Sequence, residues 1–211
     1  RHHARDKAVG LLNRLTRERP GYEKAWLVLG RLFAEGNDLV SAVEVLENGL
    51  KHFPDHPDLQ ANLAWLLLEN QDQITRALSL AQAAFEKAGG NPGIADTLGW
   101  AYYHAGLYAQ AIWVLTDALE KEPGNGFIQF HLGLSHYRHG SIDNARHWLE
   151  KAGQTPQAPH FSDQLERALA DLSGRPDTRG RESRPADMPQ MDLFSSPEVG
   201  EEEDSLVPQW N

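Results

Sequence analysis

Histidine is the residue type with most chemical potential in this chain: there are ten, and several fall close together. His136 and His139 stand at i and i+3, with His131 about one helical turn further back, and His104 is placed to face the same side. Imidazoles at that spacing could ligate a metal ion, given two or three converging rings, a carboxylate and supporting hydrogen bonds. A plainer account serves each of them. His136 takes the place of a residue that is aromatic elsewhere in the chain's own internal pattern, so packing explains it. His139 falls where a helix should end, and partial positive charge is favoured there. No metal or other cofactor is therefore expected. The chain has no cysteine, which excludes disulfides, thiolate metal sites, iron–sulfur clusters, covalent haem attachment and cysteine nucleophiles together. It has no glycine loop that cradles phosphate, no nucleophile elbow, no zinc-protease helix and no paired-carboxylate constellation. These residues are expected to carry no catalysis.

The remaining glycines and leucines recur in register. Leu98-Gly99 is followed by Tyr102, Ala111, Leu115 and Pro123; Leu29-Gly30 is followed at the same offsets by Phe33, Ala42, Leu46 and Pro54. Leu132-Gly133 leads to His136, Ala145 and Leu149, and Leu63-Ala64 leads to Leu67 and then, after one inserted residue, Ala77 and Ala81. The key leucines are spaced 34, 35 and 34 residues apart. Glycine costs about 1 kcal/mol in a helix interior, so its return at this interval needs a reason. The first copy, W-x2-L-G-x2-F…A-x3-L…P, resembles the tetratricopeptide repeat signature nearly position for position, and the resemblance implies antiparallel helix pairs. Gly30, Gly99 and Gly133, with Ala42, Ala77, Ala111 and Ala145, are expected where paired helices approach most closely. Gly36, Gly106 and Gly140 fall between the helices of a pair, where each is expected to take a positive φ. The resemblance places the helix pairs at 22–35 and 39–52, 58–70 and 73–88, 92–105 and 108–121, and 126–139 and 142–153.

The ends differ from this body. RDKAVGLLNRLTRERP carries Ala8, Leu12 and Pro20 at second-helix offsets, so residues 1–20 read as the latter half of a truncated repeat, with more repeats expected upstream. Phe161, Leu165, Leu169 and Leu172 share one face of a final helix that ends at Gly174, as a cap over the last repeat requires. Residues 174–211 hold five prolines and nine acidic residues against four arginines. They read as an extended, solubilising acidic tail. An alternative stays open, in which two apolar islands make a contact through Leu193, Phe194, Leu206, Val207 and Trp210.

The tetratricopeptide resemblance covers roughly residues 4–157. It implies an all-α fold: a right-handed solenoid of antiparallel helix pairs. The repeats would occupy 21–57, 58–91, 92–125 and 126–157, followed by a capping helix at 158–173. It also implies a protein or peptide partner held on the concave face, which the first helix of each pair lines. Carried over position by position, that face has Lys24, Leu27 and Arg31 in the first repeat. The second brings Ala61, Asn62, Trp65 and Glu69, and the third Asp96, Trp100, Tyr103 and His104. The fourth brings Phe127, Phe130, Leu134, Tyr137 and Arg138. The aromatic members either form a groove for an apolar or proline-containing peptide or serve as core between repeats. The lysine–asparagine–arginine clamp of chaperone-binding members is mostly absent, because its positions hold Leu27, Arg31, Asn62, Gly93 and Thr97.

The stretches NLAWLLLE, DTLGWAYYHAGLYAQAI and FHLGLSHYRHGSIDNARHWLEKA are similar to the C-terminal repeats of bacterial members, some of them associated with exopolysaccharide and protein sorting in the cell envelope. That likeness favours the periplasmic side of a bacterial envelope over the cytoplasm. A formal net charge of −10 argues against nucleic acid and anionic lipid as partners, and no apolar run is long enough to span a membrane. The leading expectation is a non-catalytic scaffold or adaptor in a multi-subunit assembly. The alternatives are a substrate-recruiting arm of a larger enzyme, such as a glycosyltransferase, and a spacer that touches its partner only through the tail.

Overall fold

A computed structural model describes residues 2–69 and 73–174, and every regular element among them is helical. A lone helix α1 (His2–Glu18) leads into four antiparallel pairs. These are α2 (Glu23–Glu35) with α3 (Leu39–His52), α4 (Pro57–Glu69) with α5 (Ile74–Ala88), α6 (Pro92–His104) with α7 (Tyr108–Lys121), and α8 (Gly126–His139) with α9 (Ile142–Gly153). A short 3-10 turn, Ala158–His160, brings the chain to α10 (Ser162–Ser173). Each helix packs mainly on its sequence neighbours, and the first helices α2, α4, α6 and α8 also pack on one another. The fold is all-α, an α-solenoid.

The recurring small residues set how closely each pair nests. A Cβ on Gly30 or Gly133 would lie 2.8 Å from the nearest side-chain atom of Leu46 or Leu149, and one on Gly99 would lie closer still to Leu115. Those leucines come four residues after Ala42, Ala111 and Ala145, and all three alanines are fully buried. The glycine is thus a socket, and the leucine of the second helix fills it. Burying one leucine in this way contributes about 2 kcal/mol, more than the helix penalty of the glycine that admits it.

The turns between paired helices follow the expectation twice and depart from it once. Gly106 and Gly140 are left-handed, at φ +76° and +94°. Gly36 is not: its φ is −91°, and the left-handed residue of that turn is Asn37, at φ 59°. Asparagine tolerates this conformation better than most side chains. Gly36 has a different constraint. The Arg5 guanidinium lies over it and donates from Nη2 (2.8 Å) and Nε (3.2 Å) to the Leu32 carbonyl, and a Cβ on Gly36 would collide with that Nη2. Leu32 is in the last turn of α2, where carbonyls lack helical partners, so α1 caps the helix it packs against.

A second device fastens the junctions between pairs. Trp26 Nε1 donates to the Pro20 carbonyl at 2.9 Å, Gln60 Nε2 to that of Pro54 at 2.9 Å, and Gln129 Nε2 to that of Pro123 at 2.7 Å. Each donor lies six residues after its acceptor, at the same repeat position. Glutamine replaces the signature tryptophan there because both present an N–H at that point. The third repeat has Ala95 instead, and its helix starts on Asn91, whose side chain accepts from the Gly93 N–H. At the far end Phe161, just before α10, and Leu165 and Leu172 on α10 are buried, with Leu169 partly so. Arg146 Nη2 donates to the Leu172 carbonyl at 3.0 Å, and the Tyr137 hydroxyl bonds to the Asp171 carboxylate.

Candidate functional site

The first helices of the four pairs carry all the concave-face candidates, and the two ends of that face differ. Trp100 on α6 is only 7% exposed. Its indole is sandwiched between Tyr103 (centroids 4.7 Å apart, 8° between planes) and His131 of α8 (4.2 Å, 18°), while His104 meets it edge-on at 4.5 Å. His131 is held in place by Asp96, with Nδ1 and Oδ1 2.8 Å apart, and both are largely buried. Phe130 is buried against Phe161 of the capping segment, stacked at 4.3 Å. Arg138 lies over the Tyr108 ring, 5.5 Å from its centroid, and Tyr137 is tied to Asp171. Burial pushes the His104 imidazole down, with the His131 charge adding to it, and pushes the Tyr103 phenol up against the pull of Arg138. Along α6 and α8 the rings therefore pack on one another, while Trp100 Nε1 and His104 Nε2 are buried without a hydrogen-bond partner. Phe127, 38% exposed, is the exception, resting beside His160 and Phe161 at centroid distances of 5.7 and 5.6 Å.

Toward α2 and α4 the face is open. A recess of about 390 Å³ lies between Arg31, Ala34 and Glu35 on one helix and Asn62, Trp65 and Glu69 on the other. A second, of about 320 Å³, continues past Asn62 and Trp65 to Asp58, Asn91, Ile94 and Thr97. Trp65 and Asn62 are shared by both, and Trp65 is 41% exposed. Arg31 is paired with Glu35 at 3.6 Å, and Asn62 Nδ2 donates to the Asp58 carbonyl at 2.7 Å. Burial raises the Glu69 carboxyl above its usual range, partly offset by His131.

The structure thus gathers Asp96, Trp100, Tyr103, His104, Phe130, Tyr137 and Arg138 into packed or bonded positions, and leaves Arg31, Asn62 and Trp65 lining open space. Two acidic lining residues, Glu35 and Asp58, have no place among the sequence candidates. Their spacing from Arg31 and Asn62, four residues in each case, is the available signal. The sequence pattern offers His131 only as a metal ligand, whereas it packs as a ring between repeats. The tail candidates Leu193, Phe194, Leu206, Val207 and Trp210 lie outside the described residues. Among the described residues no three His, Asp or Glu side chains gather as metal ligands, and no helix is long and apolar enough to cross a membrane.

Comparison with known proteins fits this architecture. Two family models, each described as tetratricopeptide repeat, match residues 2–66 and 97–159. A TPR repeat-containing protein of Methanocaldococcus jannaschii, MJ1428, is 31% identical over 98 residues, 46% of this chain; the chain spans only 17% of that relative's length. Among solved structures, TTC0263, a thermophilic TPR protein of Thermus thermophilus, superposes with a TM-score of 0.61 at 24% identity, covering 71% of this chain and 80% of its own. YrrB, described as a TPR protein with an unusual peptide-binding site, gives 0.59 at 16% identity, covering 78% and 84%. Both structural likenesses lie below the identity at which more than fold transfers. Helix pairs at a 34-residue period, glycine sockets filled by leucines and the two family matches give one answer: the chain belongs to the tetratricopeptide repeat family.

Proposed function

We propose that the chain is a non-catalytic scaffold that holds a segment of a partner protein on its concave face, within a larger assembly. The primary contact is the open stretch between α2 and α6, with Trp65 at its centre and Arg31 and Asn62 beside it. The stacked rings of α6 and α8 form its rigid flank. One observation carries this reading: Trp65 stands 41% exposed and, with Asn62, lines two neighbouring recesses. Large aromatics left in solvent beside concave surface are typical anchors for a partner. YrrB, on the same fold, is described as having a peptide-binding site, which supports a ligand of that size.

Trp113, 40% exposed on the second helix α7, provides an internal control of equal type and exposure. With a photo-crosslinking amino acid at position 65 or 113, adducts to a discrete partner are expected from position 65 alone. Trp65→Ala, with unchanged circular dichroism, should abolish recovery of that partner, whereas Trp113→Ala should not. Equal crosslinking at both positions, or none at 65, would overturn the proposal.

A further inference from the structure

The open groove is one-sided in charge. Its two recesses are lined by three carboxylates, Glu35, Glu69 and Asp58, against one cation, Arg31. Arg31 already faces Glu35 across one helical turn at 3.6 Å. Glu69 lines the first recess and Asp58 the second, and Trp65 lines both. Glu69 is exposed at the rim of the first recess; partial burial of its carboxyl raises its pKa, offset in part by His131, and a cation arriving beside it would further favour the charged form. An exposed indole face flanked by carboxylates attracts an ammonium or guanidinium twice, through the ring quadrupole and through direct charge pairing. Asn62 donates from Nδ2 to the Asp58 main-chain carbonyl at 2.7 Å, leaving its amide oxygen to accept from a main-chain N–H of an extended segment.

We propose that the Trp65 groove recognises an extended segment of a partner protein through a lysine or arginine side chain, laid over the indole and paired with Glu69. The inference rests on the concave-face reading above and adds the chemistry of the occupant. Charge decides among the occupants. An acidic or phosphorylated segment would meet three carboxylates and a cation that is already paired. The chain's own residues 174–211 are acidic in sum, nine acidic residues against four arginines; the arginines fall together within 175–184, directly after α10, which packs on α9 of the fourth pair and not on the helices that line the groove. A second copy, at net charge −10, is repelled as well.

The test uses the full chain labelled with ¹⁵N, titrated at physiological salt with three capped octapeptides that alternate alanine with lysine, glutamine or glutamate. The reporter is the Trp65 indole N–H signal, identified by its loss in Trp65→Phe. The lysine peptide is expected to shift that signal saturably and the other two at least about 10-fold more weakly; Glu69→Gln should weaken the lysine peptide about 5-fold. Equal binding of the glutamine peptide at Trp65 would overturn the cation assignment and leave the groove reading standing. Failure of all three peptides to move the signal would overturn both. Shifts spread over other acidic residues, or an affinity indifferent to Glu69→Gln, would mean general attraction to an acidic protein and would also overturn the proposal.

Discussion

A histidine stands at position 136, where the other copies of the repeat have Phe33, Leu67 and Tyr102. It fills the same space between helices, but an imidazole, unlike a phenyl ring, can take up a proton. Burial, with a smaller contribution from neighbouring His139, brings its pKa down to about 4. The folded state therefore resists protonating this ring, while the unfolded chain protonates it near the ordinary value. Stability from this site is complete above about pH 6.5 and is lost as pH falls from there toward about 4. His136→Phe should remove that dependence. Urea unfolding should show the native chain losing about 2 kcal/mol more than the variant between about pH 7 and about pH 5. Residue chemistry of this kind was legible in the repeat register, which placed His136 in an aromatic slot. The stack of His131 on Trp100 was not, because it joins rings from two repeats.

At the level of helices and turns, the junctions hold by the side-chain N–H groups of Trp26, Gln60 and Gln129 on proline carbonyls. Gln129→Leu keeps the bulk but leaves the Pro123 carbonyl without that donor. The expected cost is about 1–2 kcal/mol in equilibrium unfolding, with faster amide exchange at the start of α8. Gln129→Trp should recover part of the loss, since the same acceptor serves the indole of Trp26. Helix positions were readable from periodicity, because the apolar stripe, the glycine sockets and the prolines all repeat together. The first turn departs from that pattern at Gly36 for a definite reason. Glycine signals freedom from a Cβ, and here that freedom admits the Arg5 guanidinium, while Asn37 takes the positive φ.

In the molecule as a whole, contacts run between neighbouring helices along the chain, so stability should divide locally, as in other stacked-repeat proteins. Phe161 makes this measurable. It is 6% exposed and stacks on Phe130, joining the capping segment to α8. Phe161→Ala should cost about 3 kcal/mol or more locally, and hydrogen exchange should accelerate in α10 and the first half of α8 while α2 to α5 stay unchanged. Uniform acceleration in all helices would mean a single cooperative unit instead.

The linear chain by itself determined the helix pairs, their period and the family, because each depends on side chains whose spacing is local and repeated. It also named Trp65 and Trp100 alike, as aromatics at equivalent points of successive repeats. Only the packing of one repeat on the next separated them. His131 and Tyr103 enclose the indole of Trp100, whereas Trp65 keeps one side open to the recesses beside Arg31 and Asn91. What lies across the groove from a side chain comes from a helix about 34 residues away, and no local pattern states whether it will be a ring that closes the space or a carboxylate that leaves it open.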